Sequence, residues 1–122
     1  MTTEAEVKYR TRTILERLGY KVKAEPPVLD VDRSVVLDFY AYRDTEPPAI
    51  LWIECKGDVE NDNLSEILEG LVRAEFASFM GGGKSILVLG DAMARRLEQH
   101  ENFLSQFFTK TVGISRLESY LL

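Results

Sequence analysis

Two charged residues close an otherwise apolar run. In residues 49–56, AILWIECK, Glu54 and Lys56 are two apart, so on a strand they project from one face with Trp52 while Cys55 projects from the other. Asp38 similarly interrupts residues 34–42, SVVLDFYAY, a β-branched and aromatic strand. If the two strands pair through the turn RDTEPP at 43–48, Asp38 lies within cross-strand reach of Glu54, because the midpoint of that pair is residue 46, inside the turn. Two carboxylates side by side repel unless a cation neutralises them, and oxygen ligands favour Mg²⁺ or Mn²⁺ over zinc. A lysine beside such an ion can position or deprotonate a water, or stabilise charge developing on a phosphate. An isolated E-x-K more often marks a strand end reaching solvent; the upstream aspartate changes the weighting. Removing the Asp38 carboxylate is expected to relieve repulsion and raise stability without metal.

The surrounding pattern supplies elements to hold these groups. Thr3 and Glu6 have capping-box spacing, and Val7, Ile14 and Leu18 recur helically until Gly19, predicting a helix over 4–18. A short strand over 20–24 is broken by Pro26-Pro27 and leads into 28–32. After the polar loop 57–63, apolar spacing predicts a helix over 64–80, ended by three glycines, and then a buried strand over 85–89. Asp91 is expected to cap a helix reaching residue 108, followed by a short strand over 112–114 and a last helix capped by Ser115. The order α-β-β-β-α-β-α-(β)-α predicts an α/β fold in which a mixed sheet, an antiparallel meander plus a parallel crossover, is flanked by helices.

With 122 residues and 45% hydrophobic content, the chain suits a single domain, 1–122, with one modest core. No apolar run spans a bilayer and no signal peptide is evident, so a cytoplasmic protein without a membrane partner is expected. A single cysteine rules out an internal disulfide, and Cys55 reads as a small buried hydrophobe. The net charge of −5 argues against a basic surface that coats DNA, and the acid excess sits in residues 25–69.

The combination resembles the PD-(D/E)xK nuclease superfamily, through Leu37-Asp38 on one hairpin strand and Ile53-Glu54-Cys55-Lys56-Gly57 on the next. It is similar, over about residues 2–90, to the nuclease domain at the N-terminus of type I restriction motor subunits and, more distantly, to archaeal Holliday junction resolvases. Leu37 stands where the superfamily's eponymous proline would be. The resemblance implies a restriction-endonuclease-like fold and a Mg²⁺-dependent (or Mn²⁺-dependent) endodeoxyribonuclease. Asp38 and Glu54 would bind the metal, the main-chain carbonyl of Cys55 would add a ligand, and Lys56 would be the catalytic lysine. A helix-one glutamate completes many such sites; Glu4 is the candidate here, since the capping box explains Glu6. Arg73, in a polar stripe with Glu66 and Glu69, is a candidate substrate contact beside a solvated-face reading.

Other signals carry less. Gly81-Gly82-Gly83-Lys84-Ser85 mimics the tail of a phosphate-binding loop but lacks its first glycine, and it follows a helix. His100 has no ligand partner at helical spacing, and Phe103, Phe107 and Phe108 read as core or interface. The functional expectation is a nuclease acting on nucleic acid, DNA before RNA, as a homodimer or with a partner protein. The rival is a non-catalytic nucleic-acid-binding or regulatory subunit of the same fold, and a third reading is a structural dimer whose acids are solvated strand ends.

Overall fold

Thr3 opens the first helix as its spacing predicts: its hydroxyl accepts the Glu6 N–H at 3.1 Å in the computed structural model, which describes residues 1–25, 36–58 and 64–122. Helix α1, Glu4–Arg17, buries Val7, Thr11, Ile14 and Leu15. Strands β1 (Lys21–Ala24), β2 (Phe39–Arg43) and β3 (Ala49–Lys56) form an antiparallel meander. Helix α2, Leu64–Gly81, then crosses to β4, Lys84–Leu89, which lies parallel to β3. Helix α3, Asp91–Leu97, precedes β5, Lys110–Gly113, parallel to β4. The result is an α/β fold with one open five-stranded mixed sheet in the order β1-β2-β3-β4-β5, flanked by helices. Among the described residues, no helix is long and apolar enough to cross a membrane.

Strand alternation divides the core between the two faces. Leu51, Ile53 and Cys55 of β3 join Val7, Ile14 and Leu15 of α1, with Ile86, Val88 and Leu117, in one cluster. Leu87 and Leu89 of β4 instead meet Ile67 and Leu71 of α2 and Met93 and Leu97 of α3. Trp52 packs with Leu37 and Ala77, and its indole N–H donates to the Gly82 carbonyl at 2.8 Å. Gly82 and Gly83 have φ of +73° and +88°, and a Cβ on Gly83 would stand 2.7 Å from the Ile50 carbonyl oxygen. The glycine run is thus a helix-to-strand turn fitted against β3.

Several boundaries differ from the sequence reading. Strand β2 begins at Phe39, so Asp38 stands just outside it; positions 34 and 35 of the expected strand, the expected segment 28–32 and loop residues 59–63 lie outside the described residues. The expected helix 91–108 breaks after Leu97 into a 3₁₀ turn, Glu98–His100, and a single-turn helix α4, Glu101–Leu104. At the far end of this stretch a tertiary contact holds the chain: the Glu75 carboxylate of α2 accepts the N–H groups of Phe108 and Thr109 at 2.9 Å and the Thr109 hydroxyl at 2.7 Å. Asp91 is not a cap but the first residue of α3; its Oδ1 accepts the Ser115 N–H at 3.0 Å. Ser115 lies within a 3₁₀ turn, Ile114–Arg116, before the last helix α5, Leu117–Leu121, so it does not cap that helix, and the last strand starts at Lys110 and excludes Ile114.

Candidate functional site

The last β2–β3 pair is Phe39 with Ile53, so the next step of the register sets Asp38 opposite Glu54. Asp38 caps the ladder with its side chain: Oδ2 accepts the Cys55 N–H at 2.7 Å, while its main-chain carbonyl accepts the Glu25 N–H at 2.9 Å. Its other oxygen, Oδ1, faces Lys8 Nζ of α1 at 3.2 Å. Glu54 is only 2% exposed, and its Oε2 receives Arg73 Nη1 from α2 at 2.7 Å. Burial, then the hydrogen bond and charge of Asp38, push the Glu54 carboxyl up to about 8 despite the opposing pull of Arg73 and Lys56. The two acids therefore stand side by side at the end of the β2–β3 ladder, and the place disfavours the negative charge of Glu54. Lys56, two residues along β3, places Nζ 3.6 Å from Glu4 Oε1, and Glu4 Oε2 lies 3.4 Å from Lys8. Asp38, Glu54, Lys56 and Glu4 thus converge where α1, α2 and the ends of β2 and β3 meet. Cys55 belongs to the other face, buried in the α1 core with its Sγ 3.7 Å from the Thr11 hydroxyl; burial pushes its thiol far up.

The residues just after Lys56 explain how the start of α1 reaches the site. A Cβ on Gly57 would lie 2.4 Å from the Glu4 nitrogen, so the absent side chain admits the helix start. Asp58 then ties three segments together. Its N–H donates to the Thr2 carbonyl at 2.8 Å; its Oδ2 accepts the Thr2 N–H at 3.0 Å and its Oδ1 the Met93 N–H at 2.8 Å. On the opposite wall, Gly70 of α2 lets that helix close over the acids, since a Cβ there would stand 3.2 Å from Glu54 Cγ and 3.4 Å from Lys56 Cε.

Sequence reasoning named Asp38, Glu54, Lys56 and Glu4, which the structure brings together, and Arg73, but not Lys8, which faces Asp38. Lys8 reads in the sequence as an ordinary helix-surface lysine; its position one turn from Glu4 was the available signal. Burial opposes its charge, but Asp38 and then Glu4 outweigh that and hold its ammonium above the usual lysine range. Arg73, a candidate substrate contact in the sequence, spans Glu54 and Glu69 (3.4 Å). Glu66 is exposed at the start of α2. Among the described residues no group of three or more His, Cys, Asp or Glu side chains is placed to hold a metal ion, so an ion here would rest on Asp38 and Glu54 with main-chain and water oxygens. That donor set suits Mg²⁺, which keeps several waters and commonly takes only one or two carboxylates. Comparison with protein-family models, with curated proteins and with solved structures finds no match for the chain.

Proposed function

We propose that this chain is a Mg²⁺- or Mn²⁺-dependent nuclease of restriction-endonuclease-like fold that hydrolyses phosphodiester bonds, in DNA before RNA. The observation that carries the reading is the register that sets Asp38 opposite a buried Glu54, whose carboxyl burial pushes up, with Lys56 two residues on. A purely structural sheet end has no evident need of two acids side by side, one of them buried. Asp38 and Glu54, with the Cys55 carbonyl, would hold the ion. When bound, the ion would supply charge neutralisation at the scissile phosphate and a water acidic enough to attack it. Lys56 would hydrogen-bond the attacking water or a non-bridging phosphate oxygen, and Glu4 would orient the Lys56 ammonium through their ion pair. Arg73, about a third exposed, would exchange Glu54 for a phosphate when the ion takes over the carboxylate.

A second reading keeps the fold and drops the chemistry. Lys8 and Arg73 already set one cationic group against each acid, which favours a non-catalytic nucleic-acid-binding or regulatory subunit. Turnover separates the two. Labelled single-stranded, duplex and branched DNA, and RNA, are incubated with wild type and Lys56→Ala in Mg²⁺, Mn²⁺ or chelator. The proposal expects metal-dependent cleavage by wild type that falls at least about a hundredfold in the variant. Equal cleavage by both removes Lys56 from the reaction, and metal binding without cleavage of any substrate moves the protein to the second reading.

A further inference from the structure

The outward side of α2 and the turn before β5 carry apolar surface that the proposed chemistry does not use. Phe79 and Phe108 are 85% and 87% exposed, and Leu68, Val72 and Phe103 are each about half exposed. They form one surface. Val72, Phe76, Phe79, Phe107 and Phe108 line a single open groove of about 550 Å³, Phe103 packs edge-on against Phe107 at 5.4 Å, and Leu68 lies one turn before Val72 on the same helix side.

Its size sets it apart from ordinary exposed side chains. With roughly 200 Å² for a whole phenylalanine side chain, the three phenylalanines expose roughly 400 Å² between them. Leu68 and Val72 bring the patch to roughly 600 Å², at the top of the roughly 300–600 Å² that soluble monomers leave bare and approaching the roughly 800 Å² per partner of a stable complex.

We infer that this surface binds a second copy of the chain in a two-fold dimer. Projection and recess lie on the same patch, since Phe79 and Phe108 stand far exposed on the groove that they line with Val72, Phe76 and Phe107, which is what an interface made of one surface meeting itself requires. Charge permits it as well. Two copies of net charge −5 repel over most of their surface, yet the one acid lining the groove, Glu75, is occupied internally by Phe108 and Thr109, which hold it below the usual carboxylate range. Glu75 stays charged but points its oxygens at those three donors, so an otherwise apolar strip is the place where such copies can meet. The pairing rests on this surface alone and stands whether or not the site cuts nucleic acid. If it does cut, the dimer carries two sites, one on the inner side of each α2.

Sedimentation equilibrium of the whole chain, up to about 100 µM so that micromolar association registers, tests the pairing. Wild type is expected at twice 13.9 kDa. Phe79→Glu and Phe108→Glu, far exposed and outside the acidic site, should each raise the dissociation constant at least about 30-fold while leaving circular dichroism and Mn²⁺ binding unchanged. A monomer throughout that range overturns the inference, and so does a dimer that survives both substitutions together. Mn²⁺ titration of the same samples reports on the acidic site separately, so its failure leaves the dimer standing.

Discussion

Glu54→Gln should make the metal-free protein more stable, and increasingly so as pH rises. The folded-state value of the Glu54 carboxyl, about 8, lies above its ordinary 4.5. Its favourable contribution is therefore complete below about pH 4.5 and is lost as pH climbs through the folded value, because the buried, Asp38-facing carboxylate must then ionise. At about 1.4 kcal/mol per pH unit, the interval caps the loss at about 5 kcal/mol above pH 8, a large share of the roughly 5–15 kcal/mol that holds a domain together. Glutamine keeps the shape and can donate to Asp38 without acquiring charge, whereas Arg73, partly in water, tolerates losing its partner. Urea unfolding of both proteins in chelator at pH 5, 6.5 and 8.5 measures the difference. The two should nearly coincide at pH 5 and separate by a few kcal/mol in favour of the variant at pH 8.5. A difference that stays flat across this range would refute the claim that Glu54 is forced to carry a proton.

The remaining expectations follow from particular contacts. Gly57→Ala places a methyl against the backbone of Thr3 and Glu4, which cannot yield as a side chain can; it should cost about 1–3 kcal/mol and lower Lys56-dependent turnover by moving Glu4, read by thermal unfolding beside the cleavage assay. Asp38→Ala leaves the Cys55 N–H without its acceptor and should destabilise by about 1–3 kcal/mol, whereas Asp38→Asn keeps an oxygen there and should lose far less; equal losses by urea unfolding would show that the hydrogen bond matters little. Cys55 should resist thiol reagents until the chain unfolds, and fast labelling of native protein would mean that β3 is out of register by one residue.

The placement of the candidate residues was legible because strand geometry is rigid: alternation puts Glu54 and Lys56 on one face, and counting back through the turn from Glu54 arrives at Asp38, where the register sets it. What the sequence concealed came from tertiary contact. Asp38 was expected to repel Glu54 and destabilise the sheet, yet its side chain also replaces a main-chain acceptor for Cys55 and faces Lys8, so its removal now reads as a loss. Lys8 lies on a helix whose local pattern cannot say which strand end it faces. Likewise 91–108 keeps helical apolar spacing at Met93, Leu97, Leu104 and Phe107 although the helix breaks after Leu97, and the Glu75 that takes the N–H groups of Phe108 and Thr109 is distant in sequence. Asp58 resembles any loop acid until the Thr2 and Met93 amides that it accepts are brought together.

The central claim is that Asp38 and Glu54 form a cation site, and isothermal titration of Mn²⁺ into the chain tests it most directly. Wild type should bind Mn²⁺ saturably, with release of a proton near pH 7 as Glu54 ionises, and both Asp38→Asn and Glu54→Gln should lose that binding while Lys56→Ala keeps it. Wild type that takes up no Mn²⁺ or Mg²⁺, or Asp38→Asn and Glu54→Gln proteins that bind as wild type does, would contradict the account.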